Sequence, residues 1–288
     1  MVEVGKYAGF CGGVINSVTK TEKALEEYDN LYCLGELVHN KQVVDSLKEK
    51  GLKIVDTLEE VEDGSNVIIR AHGVPKEVYE EASRRNIHLI DLTCPKVLRI
   101  HDEVKKYRDN HYFIILVGSK KHPEVIGTIS FCGEKSRVVE TIDDLEDVIT
   151  YIKENDYQDI VLFSQTTYSV TAFYEMISVI EKELLDRNVV IRNTICNATS
   201  LRQKECKQMA TNKDCMIIIG GKNSSNTKKL YEVASAYCKN TYIIEKVDDL
   251  DIEEVRKFKD IGIMAGASTP KSSIDEVVNH LQNNKNSL

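Results

Sequence analysis

Short apolar runs recur along this chain, and the stretches between them carry apolar residues at helical spacing. Runs at 31–34, 112–117 and 216–219 read as strands, each preceded by an amphipathic stretch, at 19–28, 101–108 and 202–209. Unbroken apolar runs bounded by polar turns mark strands that are buried on both faces. Further runs at 52–55, 137–139 and 242–245 follow, and then others at 66–69, 160–163 and 261–264. Strands alternating with helices predict an α/β fold with mainly parallel sheets, because a parallel neighbour requires a crossover long enough for a helix.

This order occurs three times with fixed landmarks. Cys11, Cys94 and Cys196 each open one repeat. The differences 39 − 11, 122 − 94 and 224 − 196 all equal 28, which places His39, His122 and Ser224 at one repeat position. Helices are expected from near Lys41, Val125 and Thr227. The later strands end in small polar loops, Ala71-His72-Gly73, Gln165-Thr166-Thr167 and Ala267-Ser268-Thr269. Two readings fit: an ordinary α/β alternation with coincident spacing, or three α/β units about a pseudo-threefold axis. The second gives domains at 12–95, 96–194 and 195–278 together with 1–11, with a polar tail at 279–288 expected to fray. Ligands of parallel sheets sit beyond the carboxyl ends of the strands. The polar loops fall there, so in this reading the three units converge on one site.

Composition narrows the classes. With 288 residues, 42% hydrophobic and 29% charged, the chain suits a globular protein with more than one core. A net charge of −8 argues against a general nucleic-acid binder but leaves room for a local anion site. No apolar run approaches the length of about 18 residues that a membrane span requires. The stretch from Met1 to Gly13 lacks the basic-then-apolar layout of a signal peptide, so a cytoplasmic location is expected. In that compartment eight cysteines are thiols or metal ligands rather than disulfides.

The repeat is what singles out Cys11, Cys94 and Cys196. Their separations, 83 and 102 residues (94 − 11 and 196 − 94), match neither a zinc finger nor a ferredoxin. Soft thiolates suit an iron–sulfur cluster, and three of them leave one iron open as a Lewis acid. Gly12 and Gly13 admit close approach of a bulky group, and Pro95 directly follows Cys94. Taken singly, each cysteine reads more readily as a small buried hydrophobe than as a ligand. Cys33, Cys132, Cys206, Cys215 and Cys238 are assigned to that class or to the surface.

Among seven histidines, His39, His72 and His122 follow strands, whereas His88, His101, His111 and His280 read as structural or solvated. Ser224, Ser225 and Asn226 precede a helix, where they suit phosphate oxygens or a plain helix cap. No Walker A or Gly-x-Gly-x-x-Gly pattern supports a nucleotide site. Glu124 is either a first-turn glutamate that complements a helix dipole or a proton donor. Thr166 and Thr167 lie on the loop able to relay that proton.

Together these motifs resemble the LytB family of hydroxymethylbutenyl diphosphate reductases, from the non-mevalonate isoprenoid pathway. The stretches that carry the resemblance include Gly9-Phe10-Cys11-Gly12-Gly13-Val14, Val38-His39-Asn40, Ala71-His72-Gly73-Val74 and Thr93-Cys94-Pro95. They continue through His122-Pro123-Glu124-Val125, Ser164-Gln165-Thr166-Thr167, Cys196-Asn197-Ala198-Thr199, Lys222-Asn223-Ser224-Ser225-Asn226 and Ala265-Gly266-Ala267-Ser268, in family order over nearly the whole chain. The resemblance implies a trefoil of α/β domains and one 4Fe–4S cluster held by Cys11, Cys94 and Cys196. It implies a diphosphate bound by His39, His72, His122, Ser224, Ser225, Asn226 and Ser268. Glu124 is then the catalytic acid, with Thr166 beside the substrate hydroxyl. The implied reaction removes that hydroxyl reductively, giving isopentenyl and dimethylallyl diphosphates. The chain shows no flavin or nicotinamide motif, so ferredoxin or flavodoxin is the expected electron donor. Asn197 stands where the family often has an aromatic residue, and Gly35 where a bulkier one is expected. A cluster-dependent dehydratase and a non-catalytic iron–sulfur sensor are the competing readings.

Overall fold

The computed structural model describes residues 1–282. The chain falls into two compact units, one made of Met1–Asn16, Val38–Glu49 and everything from Asn197, the other of Ser17–Leu37 and Lys50–Cys196.

The first unit holds one sheet, from β1 (Val2–Val4), β10 (Cys215–Ile219), β11 (Thr241–Ile244) and β12 (Ile261–Ala265). The second unit holds two sheets. One contains β2 (Leu31–Leu34), β3 (Lys53–Val55), β4 (Asn66–Ile69) and β5 (His88–Asp91); the other contains β6 (Phe113–Val117), β7 (Ser136–Val139), β8 (Asp159–Ser164) and β9 (Asn188–Ile191). Strand orders are β11-β10-β12-β1, β3-β2-β4-β5 and β7-β6-β8-β9, so one topology appears three times. Every strand pairing is parallel. This is the expected α/β class.

The fourth strand of each sheet was not anticipated. β1, β5 and β9 are edge strands whose residues are half-buried or exposed, so no unbroken apolar run marks them. The central strands β6, β10 and β12 are buried at every position, which is why they were legible.

The helices, in chain order, are α1 (Gly12–Glu27), α2 (Lys41–Glu49), α3 (Lys76–Arg84), α4 (Pro95–Asp109), α5 (Pro123–Cys132), α6 (Ile142–Glu154), α7 (Val170–Glu183), α8 (Asn197–Asn212), α9 (Ser225–Ser235), α10 (Ile252–Val255) and α11 (Lys271–Gln282). Helices α1, α4 and α8 begin one residue after Cys11, Cys94 and Cys196, well before the expected starts. Gly12, Pro95 and Asn197 read as breakers but are compatible with a first helical turn, where Pro costs no hydrogen bond. Helices α5 and α9 likewise begin two residues earlier than expected. The tail expected from Asn279 overlaps α11, where Leu281 is buried; residues 283–288 lie outside the described residues.

Position 35 has no room for a side chain in this chain. The φ of Gly35 is +73°, and a Cβ there would lie 2.5 Å from Arg70 Nη1. Arg70 is itself largely buried, so the guanidinium has little room to retreat.

Within the second unit, α5 crosses the 71–75 loop at very short range. A Cβ on Gly127 would stand 3.3 Å from the main-chain carbon and oxygen of Val74. Lys76 N–H also donates to Ser130 Oγ at 2.9 Å. Gly127→Ala should therefore push α5 off this loop and cost roughly 1–3 kcal/mol, the usual penalty of overpacking. Chemical unfolding of the metal-free protein measures it, and an unchanged midpoint would show that the two elements are not in contact.

Candidate functional site

Every residue proposed for the site lies beyond the carboxyl end of a strand or on the helix that follows. In the second unit, His122 ends the loop after β6 and caps α5. Its Nδ1 accepts the N–H of Glu124 at 3.2 Å. A ring nitrogen that accepts carries no proton, so the cap sets the proton of neutral His122 on Nε2. Charging the ring would place N–H against N–H. The His72 ring meets that of His122 edge-on, with centroids 5.3 Å apart.

Glu124 is 3% exposed, in the first turn of α5. Thr166, after β8, donates its N–H to Glu124 Oε1 and its hydroxyl to Oε2, both at 2.6 Å. Burial pushes the Glu124 carboxyl up to about 7, and the two bonds from Thr166 oppose that rise without cancelling it. Glu124 does stand in the first turn of α5, as a glutamate complementing the helix dipole would, but it is buried there and held by Thr166. The carboxyl group exchanges its proton near neutrality, as a general acid requires.

Gln165 had no role assigned from sequence. It is buried; its Oε1 accepts Ser119 N–H at 3.1 Å and its Nε2 donates to Thr167 Oγ1 at 2.8 Å. It ties the loop that leads to His122 to the loop that carries Thr166. An amide directly after a buried strand was the available signal.

In the first unit, Ser224 caps α9 by accepting Thr227 N–H at 3.3 Å. Asn226, one turn-position on, is 3% exposed, and neither its amide nitrogen nor its oxygen has a hydrogen-bond partner. A buried unpaired amide is costly unless something arrives to meet it. With Ser225 it lines a helix N-terminus, where main-chain N–H groups favour anions. The cap of α2 is Asn40, whose Oδ1 accepts Val43 N–H at 3.2 Å, so the cap falls one residue past His39. The carbonyl of His39 is held instead: Ser268 Oγ donates to it at 3.1 Å, and Gly221 lies too close to it to tolerate a Cβ. Ser268 has committed its proton to that carbonyl and offers a phosphate only its lone pairs unless the bond breaks.

The three loops also share a turn. Gly73 N–H bonds Arg70 O, Tyr168 N–H bonds Gln165 O, and Thr269 N–H bonds Gly266 O. His72, Thr167 and Ser268 therefore occupy one turn position, and Thr166 matches Ala71 and Ala267. The sequence alignment of the second loop was one residue out of step. Each cysteine N–H reaches the carbonyl of this shared position: Cys94 to Ala71, Cys196 to Thr166, Cys11 to Ala267, at 3.0, 2.9 and 3.1 Å.

The eight thiols divide sharply. Cys11, Cys94 and Cys196 are partly exposed, whereas the other five are buried. Burial pushes Cys33, Cys132, Cys206 and Cys215 up to about 12, which keeps them as inert thiols. Three accessible soft donors at helix N-termini fit the ligand chemistry of an iron–sulfur cluster. Among the histidines outside the site, His101 is buried against Phe131 and, chiefly by burial, pushed down to about 4, whereas His88, His111 and His280 are exposed.

Known proteins bear on this arrangement. A family model described as LytB protein matches residues 2–282. A 4-hydroxy-3-methylbut-2-enyl diphosphate reductase from Clostridioides difficile is 39% identical, over 98% of this chain and 99% of its own. One from Aquifex aeolicus is 41% identical, over 97% and 95%. The solved E-1-hydroxy-2-methyl-but-2-enyl-4-diphosphate reductase of Plasmodium falciparum superposes with a TM-score of 0.90 at 28% identity, covering 97% of this chain and 87% of that one. Another solved reductase, described as the terminal enzyme of the non-mevalonate pathway, gives 0.71 at 40% identity, over 98% and 99%.

The raised carboxyl makes a signed prediction. Folded Glu124 holds its proton up to about 7 and the unfolded chain only to 4.5, so stability falls as pH rises through that window. Above it, the buried carboxylate costs about 3 kcal/mol. Relative to the native protein, Glu124→Gln should gain that much in urea unfolding of the metal-free protein between about pH 4 and pH 8. A difference between the two proteins that stays constant across this range would show that burial does not hold the proton.

Proposed function

The chain belongs to the LytB family, and on that premise we propose that it is a 4-hydroxy-3-methylbut-2-enyl diphosphate reductase. It converts its substrate to isopentenyl and dimethylallyl diphosphates. The observation that carries this reading is the buried Glu124 carboxyl held by both donors of Thr166. Replacing an allylic C–OH by C–H consumes two electrons and two protons and releases water. Hydroxide leaves poorly, so one proton must reach the departing oxygen. Glu124 is poised to give it, either directly or through Thr166: if the proton lies on Oε2, Thr166 Oγ1 accepts it and turns its own hydrogen towards the substrate.

Cys11, Cys94 and Cys196 would hold a 4Fe–4S cluster, which supplies electrons and a Lewis-acidic iron when bound. The diphosphate falls to the helix N-terminus at Ser224, Ser225 and Asn226, with His39, His72 and His122 as further donors and Ser268 as an acceptor or a released hydroxyl. Nε2–H of His122 is a donor without needing a positive charge. Electrons come from a separate one-electron carrier, of which ferredoxin or flavodoxin is the expected kind. No helix among the described residues is long and apolar enough to cross a membrane.

The direct test is an anaerobic assay with the hydroxylated diphosphate, run with and without a strong chemical reductant. Turnover that needs no reductant would make the protein a dehydratase and end this proposal. Two variants test the roles assigned. Glu124→Gln should keep iron and substrate affinity and lose single-turnover rate by about 10²-fold or more; a near-native rate removes Glu124 as the acid. Asn226→Ala should weaken diphosphate binding by roughly 5- to 150-fold, the equivalent of about 1–3 kcal/mol. It should also leave the free protein as stable as before or more so, because the unpaired amide is gone. Lost stability with unchanged affinity would make Asn226 a structural residue.

A further inference from the structure

Arg202 lies on the second turn of α8 and is 3% exposed. A buried guanidinium must find acceptors for its donors, and this one finds main-chain carbonyls. Its Nε donates to Tyr7 O at 2.7 Å, one Nη to Gly9 O at 2.8 Å and the other to Ala198 O at 3.1 Å. Gly9 precedes Cys11 by two residues, and Ala198 follows Cys196 by two. One turn further along α8, the Glu205 carboxylate accepts the N–H groups of Lys6 and Tyr7 at 2.7 and 2.8 Å. Successive peptide units of the arm from Lys6 to Gly9 are thus gripped from one helix face, carbonyls by the cation and N–H groups by the anion.

The arm has little freedom elsewhere. Gly5 N–H bonds Ile263 O and Cys11 N–H bonds Ala267 O, at 2.9 and 3.1 Å. Gly9 has φ +92°, and a Cβ there would stand 3.3 Å from Thr269 O. A backbone so confined turns at one place only, and the grip from α8 selects that place.

We propose that Arg202 is a positioning residue for the iron–sulfur cluster. With Glu205 it fixes the arm bearing Cys11 against the helix that Cys196 leads into, and it keeps a permanent positive charge on carbonyls two residues from Cys11 and from Cys196. This rests on the reading of Cys11, Cys94 and Cys196 as ligands. A second-layer contact that orients a ligand governs metal retention. A fixed nearby cation favours the more negative, reduced form of a cluster, and so raises its potential. Lysine is a poor substitute, because a single ammonium cannot fork across three carbonyls.

The test uses the full chain and the variants Arg202→Met, Arg202→Lys and Glu205→Gln. In metal-free protein, hydrogen exchange at the amides of Lys6 and Tyr7 should accelerate in Arg202→Met and Glu205→Gln. After anaerobic reconstitution, a chelator should strip iron from Arg202→Met roughly 10- to 100-fold faster than from the native protein. The midpoint potential of the remaining cluster should move negative. Arg202→Lys should restore the potential but not the retention; Glu205→Gln should lose retention and, with an anion removed, move the potential positive. If Arg202→Met does not fold, the lysine and glutamine variants carry the same two readouts. Native exchange, retention and potential in the variants would overturn the proposal. Native protein that takes up no iron would instead overturn the ligand reading, leaving the exchange data to judge the grip alone.

Discussion

Glu124 is almost wholly buried, and a carboxyl group there is tolerated only if its oxygens are met by donors. Thr166 meets both, with its N–H and its hydroxyl, and its carbonyl takes the N–H of Cys196. All three polar groups of one threonine are therefore engaged, two by the candidate acid and one by a candidate cluster ligand. This works only if β8 ends where it does. The strand is buried along nearly its whole length beside β6, so the loop leaving it cannot slide without breaking a hydrogen-bonded register. Gln165 adds a second tie, from this loop to the one that starts at Ser119. The chemistry of the second unit thus inherits its precision from two parallel strands.

Two candidate residues, one in each unit, hold free energy that the fold alone would not choose to store. Asn226 is buried with both ends of its amide unpaired, and Glu124 is buried with its ionised form disfavoured. Both lie in the first turn of a helix that follows a fully buried strand. Each costs stability by itself, and each is the kind of group a bound anion or a departing hydroxyl would satisfy. That the two costs fall at topologically equivalent places in different sheets points to a single functional demand on the repeat.

Legibility in the sequence followed burial. β6, β10 and β12 are apolar at each position and could be marked from that alone. Edge strands β1, β5 and β9 escaped because one side faces solvent and their patterns resemble loops. Helix starts after the cysteines escaped because Gly12 and Pro95 look like interruptions until the preceding hydrogen bonds are known. Glu124 was visible as a residue, but its burial was not: a glutamate in a first turn is ordinarily solvated, and only the close approach of Thr166 and α5 reverses that. Arg202 left no signal either, since the Tyr7 and Gly9 carbonyls it holds are main-chain atoms nearly two hundred positions away in the chain. The motifs that carry the family resemblance were legible because they combine rare residue types, cysteine and histidine, in a fixed order.

The same bond made three times explains why cysteines and polar loops share a repeat. Ala71, Thr166 and Ala267 each present a carbonyl to the N–H of the cysteine that opens the next helix, Cys94, Cys196 and Cys11. The following residue, His72, Thr167 or Ser268, points its side chain from the same turn. A main-chain hydrogen bond between two short loops has little play, so displacing the polar side chain displaces the thiol. Cys11 closes the series only because β1 pairs with β12 and returns the start of the chain to the sheet formed by its end. Without that pairing the third turn would have no cysteine to hold, and the repeat would supply two equivalent thiols. The short, half-exposed strand of three residues at the N-terminus is therefore as necessary to the proposed ligand set as any buried one.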